Sequence, residues 1–226
     1  MRTALLTLAI ILCVFSASYS APCYGTDMPK KKTLSVKLES YTIFKRDLEN
    51  HYGDIKSQQQ FFGLSYGFVD WFSVDLKAGA GNIRQRPTDQ DEISYRTNFA
   101  GGYGLRLKFF DRKKIKGVAG FQHISVHPKS TQIGPDDHKA ILDDWQVSLL
   151  GSYDFGMVVP YLGTRWSRID YIHTFNGDRK RVMSDMTEDI GLIAGFNIPV
   201  NDKMYLNVEG QFLDSQALAF SVNYNF

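Results

Sequence analysis

The sequence is short of cysteine, of long apolar runs and of charge of one sign, and each shortage removes a class of protein. Two cysteines, Cys13 and Cys23, stand in 226 residues. Cys13 lies in an N-terminal apolar run, so a chain that loses this run keeps Cys23 alone and closes no intramolecular disulfide. A disulfide-framed secreted domain is thereby excluded. Beyond that first run no stretch is long and apolar enough for a transmembrane helix, which takes about 20 residues. The charges nearly cancel: 26 Lys and Arg against 24 Asp and Glu leave a formal net charge of +2, which is no footprint for nucleic acid. There is no Pro- or Ser-rich linker, no low-complexity tract and no internal repeat beyond a hairpin rhythm. The length suits one domain.

What is present begins at the N-terminus. A short basic start, Met1-Arg2-Thr3, leads into an almost unbroken apolar run from Ala4 to Phe15 and then the small residues Ser16 to Ala21. Charged, apolar, small-x-small is the pattern of a secretory signal peptide, here residues 1–20 with cleavage after Ser20. Residues 21–32 read as a periplasmic tail carrying a free Cys23, and residues 33–226 as the folded domain.

That domain is a succession of strand-like segments near the length a tilted membrane strand requires, about 9–11 residues or somewhat more. They cover 33–45, 58–68, 72–83, 94–109, 115–127, 142–154, 158–172, 185–198, 203–213 and 216–226. The connections alternate between long polar ones (46–57, 84–93, 128–141, 173–184) and short ones (69–71, 111–114, 155–157, 199–202), with a short outer hairpin near Asp214-Ser215. Tight turns on one side and longer loops on the other are the habit of transmembrane barrels. The faces follow the period of two: Phe62, Leu64, Tyr66 and Phe68 oppose Gly63, Ser65 and Gly67, and Tyr103, Leu105 and Leu107 oppose Arg106 and Lys108. Segment 115–127 does not separate this way, since Val118, Ile124 and Val126 share a parity with Lys116 and Gln122. A soluble β-sandwich or lipocalin-like barrel would use the same period with its apolar face inward. Charge-poor greasy faces and aromatics near the strand ends favour the membrane.

The last strand carries the most specific pattern. Leu218, Phe220, Val222, Tyr224 and Phe226 alternate with small or polar residues and run to the last residue. Here the chain resembles bacterial outer-membrane β-barrel proteins of the broad opacity/porin-like superfamily, in which a terminal Phe and alternating hydrophobics serve as an assembly signal. The resemblance implies an all-β, antiparallel up-and-down transmembrane barrel of about ten strands, with eight the smaller alternative. It implies Phe220, Val222, Tyr224 and Phe226 as the assembly signal read by the barrel-assembly machinery. It also implies the outer membrane of a Gram-negative-type bacterium as location, with membrane lipid and lipopolysaccharide as surroundings.

A barrel of this size is narrow, since open aqueous channels belong to barrels of about 16 strands or more. Alternation sends Lys37, Glu39, Asp75, Lys77, Arg106, Lys108, Arg165 and Glu209 inward. Buried charges persist when paired, so these eight are expected to cross-pair into a polar plug. A structural or surface-interaction role follows, with a narrow channel for small solutes as the alternative; no nucleic acid, cofactor or metal is expected, and the external ligand is not named by the sequence. Two enzymes are also resembled. His123-Ile124-Ser125 resembles the His-x-Ser pair of outer-membrane lipid A deacylases, which implies Ser125 as nucleophile and His123 as base, with Asp136 or Asp137 as the orienting acid if the loop folds back; Val126-His127 follows where that family usually continues with Asn. Asp89-Gln90-Asp91 and Asp136-Asp137-His138 have spacings compatible with the acidic and Asp-His pairs of omptin-type proteases. His123, His127 and His138 with Asp136 and Asp137 match no tight zinc spacing. The default expectation is a non-enzymatic barrel.

Overall fold

A computed structural model describes residues 22–50 and 52–226; the signal-peptide assignment and Cys13 lie outside the described residues. Twelve strands form one antiparallel sheet: β1 Leu34–Asp47, β2 Asp54–Val69, β3 Phe72–Arg86, β4 Ile93–Arg112, β5 Ile115–Val126, β6 Thr131–Ile133, β7 Asp136–Tyr153, β8 Val159–Phe175, β9 Asp178–Met183, β10 Ile190–Pro199, β11 Met204–Phe212 and β12 Gln216–Asn225. Ten of them close a barrel in the order β1-β2-β3-β4-β5-β7-β8-β10-β11-β12, with β12 pairing back onto β1. All ten predicted segments overlap these strands. The remaining two, β6 and β9, are hairpin arms that continue β7 and β8 beyond the barrel wall. The long loops at 128–141 and 173–184 are therefore built largely of strand.

The second of these hairpins has a local cause. Asn176 and Gly177 both have positive φ, 47° and 91°, between the paired residues Phe175 and Asp178. A two-residue Asn-Gly turn matches the twist of the strands it joins. The β9 arm then leans toward the β1–β2 connection, where Leu48 bridges Ser184 and Asp185 N–H donates to the Asp47 carbonyl at 3.1 Å. It stands over the low wall left by the short β11–β12 hairpin.

The outside is apolar. Leu38, Phe62, Leu64, Leu76, Tyr103, Leu105, Val147, Leu149, Leu162 and Phe220 all point outward and are exposed. Soluble monomers rarely expose contiguous apolar patches above a few hundred Å², and a continuous band round a closed barrel is what lipid requires. At the short-turn end the band is edged by aromatic contacts: Tyr66–Phe68 at 5.0 Å, Tyr153–Phe155 at 4.7 Å and Tyr224–Phe226 at 5.1 Å between ring centroids. Phe226 is 63 % exposed at this rim, and its N–H donates to the Leu34 carbonyl at 3.0 Å across the β1–β12 closure.

The inside is filled, and in two layers. Toward the long-hairpin end, Tyr41, Ile43, Ile55, Ile83, Tyr95, Ile124, Val126, Leu142, Ile169 and Tyr171 make one buried apolar cluster. Toward the short-turn end the interior is polar and charged. This layering resolves β5. Val118, Gln122, Ile124 and Val126 are all buried on the inner face of the strand, where Gln122 reaches Pro22 in the polar layer and Ile124 and Val126 belong to the apolar cluster. Its parity looked inconsistent only because a wholly polar lumen was expected.

Candidate functional site

The polar layer is built around a piece of chain that the sequence reading placed in the periplasm. Residues 22–27 run inside the barrel, and this corrects the expected tail. Lys32 N–H donates to the Gly67 carbonyl at 2.6 Å and Gly67 N–H to the Thr33 carbonyl at 3.1 Å, which carries the segment over the short-turn rim. Tyr24 and Gly25 then take consecutive positive φ values, 65° and 62°, reversing the chain within the lumen. A Cβ on Gly25 would stand 2.8 Å from the Tyr161 ring, so only glycine fits there.

Each wall grips the segment. Gln122 donates to the Pro22 carbonyl. Cys23 N–H donates to Glu209 Oε1 at 2.7 Å, and Gln146 Nε2 donates to Cys23 Sγ at 2.9 Å. Thr26 and Ser152 share a hydroxyl hydrogen bond. Asp27 is held three times: Lys116 Nζ at 2.6 Å and Asn197 Nδ2 at 2.8 Å reach its carboxylate, and Arg106 Nη1 donates to its carbonyl at 2.7 Å. The Tyr24 ring lies beneath the lumen cations, with Lys37 Nζ 3.0 Å and Lys77 Nζ 4.7 Å from its centroid, an attraction that gains when water is excluded.

The eight inward charges divide as follows. Asp75 takes a bidentate pair from Arg106 at 2.8 and 2.9 Å, a hydrogen bond from Ser65 and an ion pair with Lys37 at 3.6 Å. Lys77 pairs Glu39 at 3.2 Å. Glu209 is satisfied by hydrogen bonds rather than by a cation, accepting from Cys23 N–H, from Tyr161 hydroxyl at 2.8 Å and from Gln211. Lys108 keeps the inward parity but sits at the short-turn rim, where a bulge between it and Phe110 turns it toward Asp111 at 2.5 Å. Arg165 belongs to a second network. Its Nη1 donates to Gln146 and Gln211, both at 2.8 Å, and its Nη2 to Asp214 at 2.5 Å and Ser215 at 2.8 Å. Arg46 reaches the same Asp214 carboxylate at 2.8 Å and also donates to the Ser167 carbonyl and Ser184 hydroxyl. Sequence reasoning missed Arg46 and Asp214. A register shift between Ile43 and Lys45 switches the parity of β1, which brings Arg46 to the inside. Asp214 lies in a hairpin turn, where alternation gives no direction.

The His123 and Ser125 pair faces the other way, outward from β5. His123 stacks on Trp145, ring centroids 3.9 Å apart, and its Nδ1 donates to the Asp144 carbonyl at 3.2 Å. Ser125 is taken by other partners: its Oγ lies 2.8 Å from His127 Nε2 and donates to Asp143 Oδ1 at 2.5 Å. Asp143 is the cross-strand partner of Ser125, which the residue spacing of a bent hairpin conceals. Asp136 stands instead at the β6–β7 turn, accepting from Asn176 at 2.7 Å, and Asp137 pairs Lys139 at 3.3 Å. Neither reaches His123, because β7 begins at Asp136 and carries both away from the wall. A hydroxyl held between an imidazole and a carboxylate can lose its proton to either as it attacks an acyl carbon. The cluster continues downward on the same face into Phe121, Val147 and Leu149, so it overlooks the lipid band.

The omptin-like spacing gathers no acid at His138. Asp89 and Asp91 are exposed in the β3–β4 connection, and His138 Nδ1 instead meets His173 Nε2 at 3.1 Å. Among the described residues no three His, Cys, Asp or Glu side chains converge as a metal site.

No protein-family model matches the chain, and no curated protein is similar to it in sequence. Solved structures with a related barrel include the transport unit of the autotransporter AIDA-I from Escherichia coli, at 10 % identity and TM-score 0.49 over 87 % of this chain and 91 % of that one. The attachment invasion locus protein Ail of Yersinia pestis is similar at 10 % identity and TM-score 0.43, over 86 % and 99 %. The outer membrane protein OprG of Pseudomonas aeruginosa is similar at 10 % identity and TM-score 0.40, over 88 % and 99 %.

Proposed function

We propose that this chain is a sealed barrel of a Gram-negative-type outer membrane, exported with a cleaved signal peptide and assembled through its last strand. Its role is structural or one of surface interaction; it works from its outside and does not conduct solutes. The observation that carries the reading is the interior. Residues 22–27 fill the short-turn half, anchored to β4, β5, β7, β10 and β11, and an apolar cluster fills the other half. The two layers lie in series, so a solute passing the first meets the second. The test is planar-bilayer recording of the refolded protein. No stable conductance steps are expected, and large, steady, porin-sized steps would overturn the seal and favour the narrow-channel alternative.

One observation favours a second reading, an outer-leaflet acyl-ester hydrolase in the manner of a lipid A deacylase. It is the outward Ser125 hydroxyl set between His127 and Asp143. On this reading, mass spectra of lipid A from cells making the wild-type protein show a lost acyl chain that Ser125→Ala restores. Identical spectra remove the reading and leave the sealed barrel untouched.

A further inference from the structure

The mouth of the barrel holds a pair of imidazoles that neither the seal nor the outward cluster uses. His138 on β7 and His173 on β8 are diagonal neighbours, since Ala140 is the residue opposite His173. Both belong to the inner face of their strands, and both form part of the wall of a cavity of about 300 Å³ at the long-hairpin end. Their rings are nearly parallel, 17° apart with centroids at 5.3 Å, and Nδ1 of His138 faces Nε2 of His173 at 3.1 Å. Aromatic neighbours hold the two rings: Phe175 stands edge-on to His138 at 5.0 Å and Tyr171 lies against His173 at 6.0 Å.

Two imidazole nitrogens at this separation coexist in one of two ways. Either one ring donates its N–H to the other, or both lone pairs turn to a shared cation. Tetrahedral zinc with Zn–N bonds of about 2.0–2.1 Å places neighbouring ligand atoms roughly 3.3–3.4 Å apart. The observed separation is within a few tenths of an ångström of that, but with centroids 5.3 Å apart the two nitrogens point nearly at each other, so holding a shared cation requires both rings to turn toward the cavity. Neutral imidazole suits zinc, copper and nickel. The cavity has room for water on the remaining positions, and Gln85, Thr88 and Gln90 stand in its wall. Among the described residues no third His, Cys, Asp or Glu joins the pair, so the metal keeps open positions. We propose that His138 and His173 form an open two-histidine site for a divalent transition metal at the outer mouth of the barrel. The sealed-barrel reading neither requires this site nor depends on it.

The test uses the full processed chain, stripped with chelator, in detergent. Titration with Zn²⁺ alone in a calorimeter is expected to show one saturable site. His138→Ala and His173→Ala should each weaken it at least tenfold, while His123→Ala, on the outer face, leaves it unchanged. Folding of each variant is checked beforehand by its heat-modifiable gel shift. A second measurement avoids altering the pair: Cu²⁺ electron paramagnetic resonance on a His123→Ala/His127→Ala protein should show two coordinated imidazole nitrogens. Absence of saturable Zn²⁺ binding, binding that persists in the His138→Ala/His173→Ala double variant, or fewer than two coordinated nitrogens would overturn the site and leave a plain N–H···N hydrogen bond.

Discussion

Asp214→Ala is expected to lower the barrel's unfolding free energy by about 3–5 kcal/mol, the cost of removing one partner from a buried ion pair. Asp214 has unusual leverage because one carboxylate serves two guanidinium groups, Arg46 at 2.8 Å and Arg165 at 2.5 Å. Both arginines are about 1 % exposed. Alanine removes the carboxylate that both cations share and leaves them neutral acceptors, the Gln146 and Gln211 side chains, the Ser184 and Ser215 hydroxyls and the Ser167 and Asp214 carbonyls, with the buried Asp144 as a remaining nearby anion. Asp214→Asn keeps a hydrogen-bond acceptor without the charge and should fall between alanine and wild type. The midpoint of urea unfolding, followed by the heat-modifiable gel shift, measures both. A loss below about 1 kcal/mol, the range typical of exposed pairs, would mean that water reaches this network.

Removing residues 22–27 should have the other large effect, on stability and not on conductance. The deletion takes away the Cys23 N–H from Glu209, the Asp27 carboxylate from Lys116 and Asn197, the Asp27 carbonyl from Arg106 and the Tyr24 ring from beneath Lys37. It therefore strips partners from several buried polar groups at once, each worth about 1–3 kcal/mol when left unsatisfied. Water entering from the short-turn end recovers part of this loss. The apolar cluster of Tyr41, Ile43, Ile83, Tyr95, Ile124 and Tyr171 is untouched and still closes the outer half. The shortened barrel should unfold at lower urea and remain electrically silent. Conductance steps on deletion of the segment alone would show that the outer layer is no barrier.

The contrast between outer face and inner face follows from what alternation can register. The ten wall strands were legible because lipid demands apolar side chains at every second residue, and Phe62 to Phe68 or Tyr103 to Leu107 obey that demand without exception. The interior has no such uniform solvent. Its long-hairpin half packs like a small protein core, so Ile124 and Val126 on β5 and Ile43 on β1 are apolar on the lumen side, and the polar-inside rule gives no answer there. Arg46 escaped because the register shift at Ile43/Lys45 breaks the period of two just before it. The inserted segment escaped for a different reason: nothing in Pro22 to Asp27 has strand or helix periodicity, and its fit is visible only once the lumen cations and Glu209 are in place. The Asn176-Gly177 turn, by contrast, was a local signal that a count of membrane strands passed over.

The outward cluster shows the same limit. His123 and Ser125 share a face, as the period of two requires, yet each takes partners from the neighbouring strand that spacing along the chain does not reveal. Trp145 and Asp143 are set opposite them by the β5–β7 register. The nearest acids in the preceding loop, Asp136 and Asp137, turn out to start the next strand and to face its hairpin.

The central claim is that the N-terminal segment lies inside the barrel, and the chain carries its own probe for it. Cys23 is 3 % exposed, enclosed by Leu150, Tyr161 and Ile193 and bonded to Gln146. In a chain lacking residues 1–20, it is the one thiol. Maleimide labelling of the processed protein in lipid vesicles, with reagent on both sides of the membrane, reads its position directly. The account predicts no labelling while the heat-modifiable folded form persists, and complete labelling once the barrel is unfolded in urea. Labelling of the folded protein at the rate of the unfolded one would place the segment outside the lumen and contradict the seal.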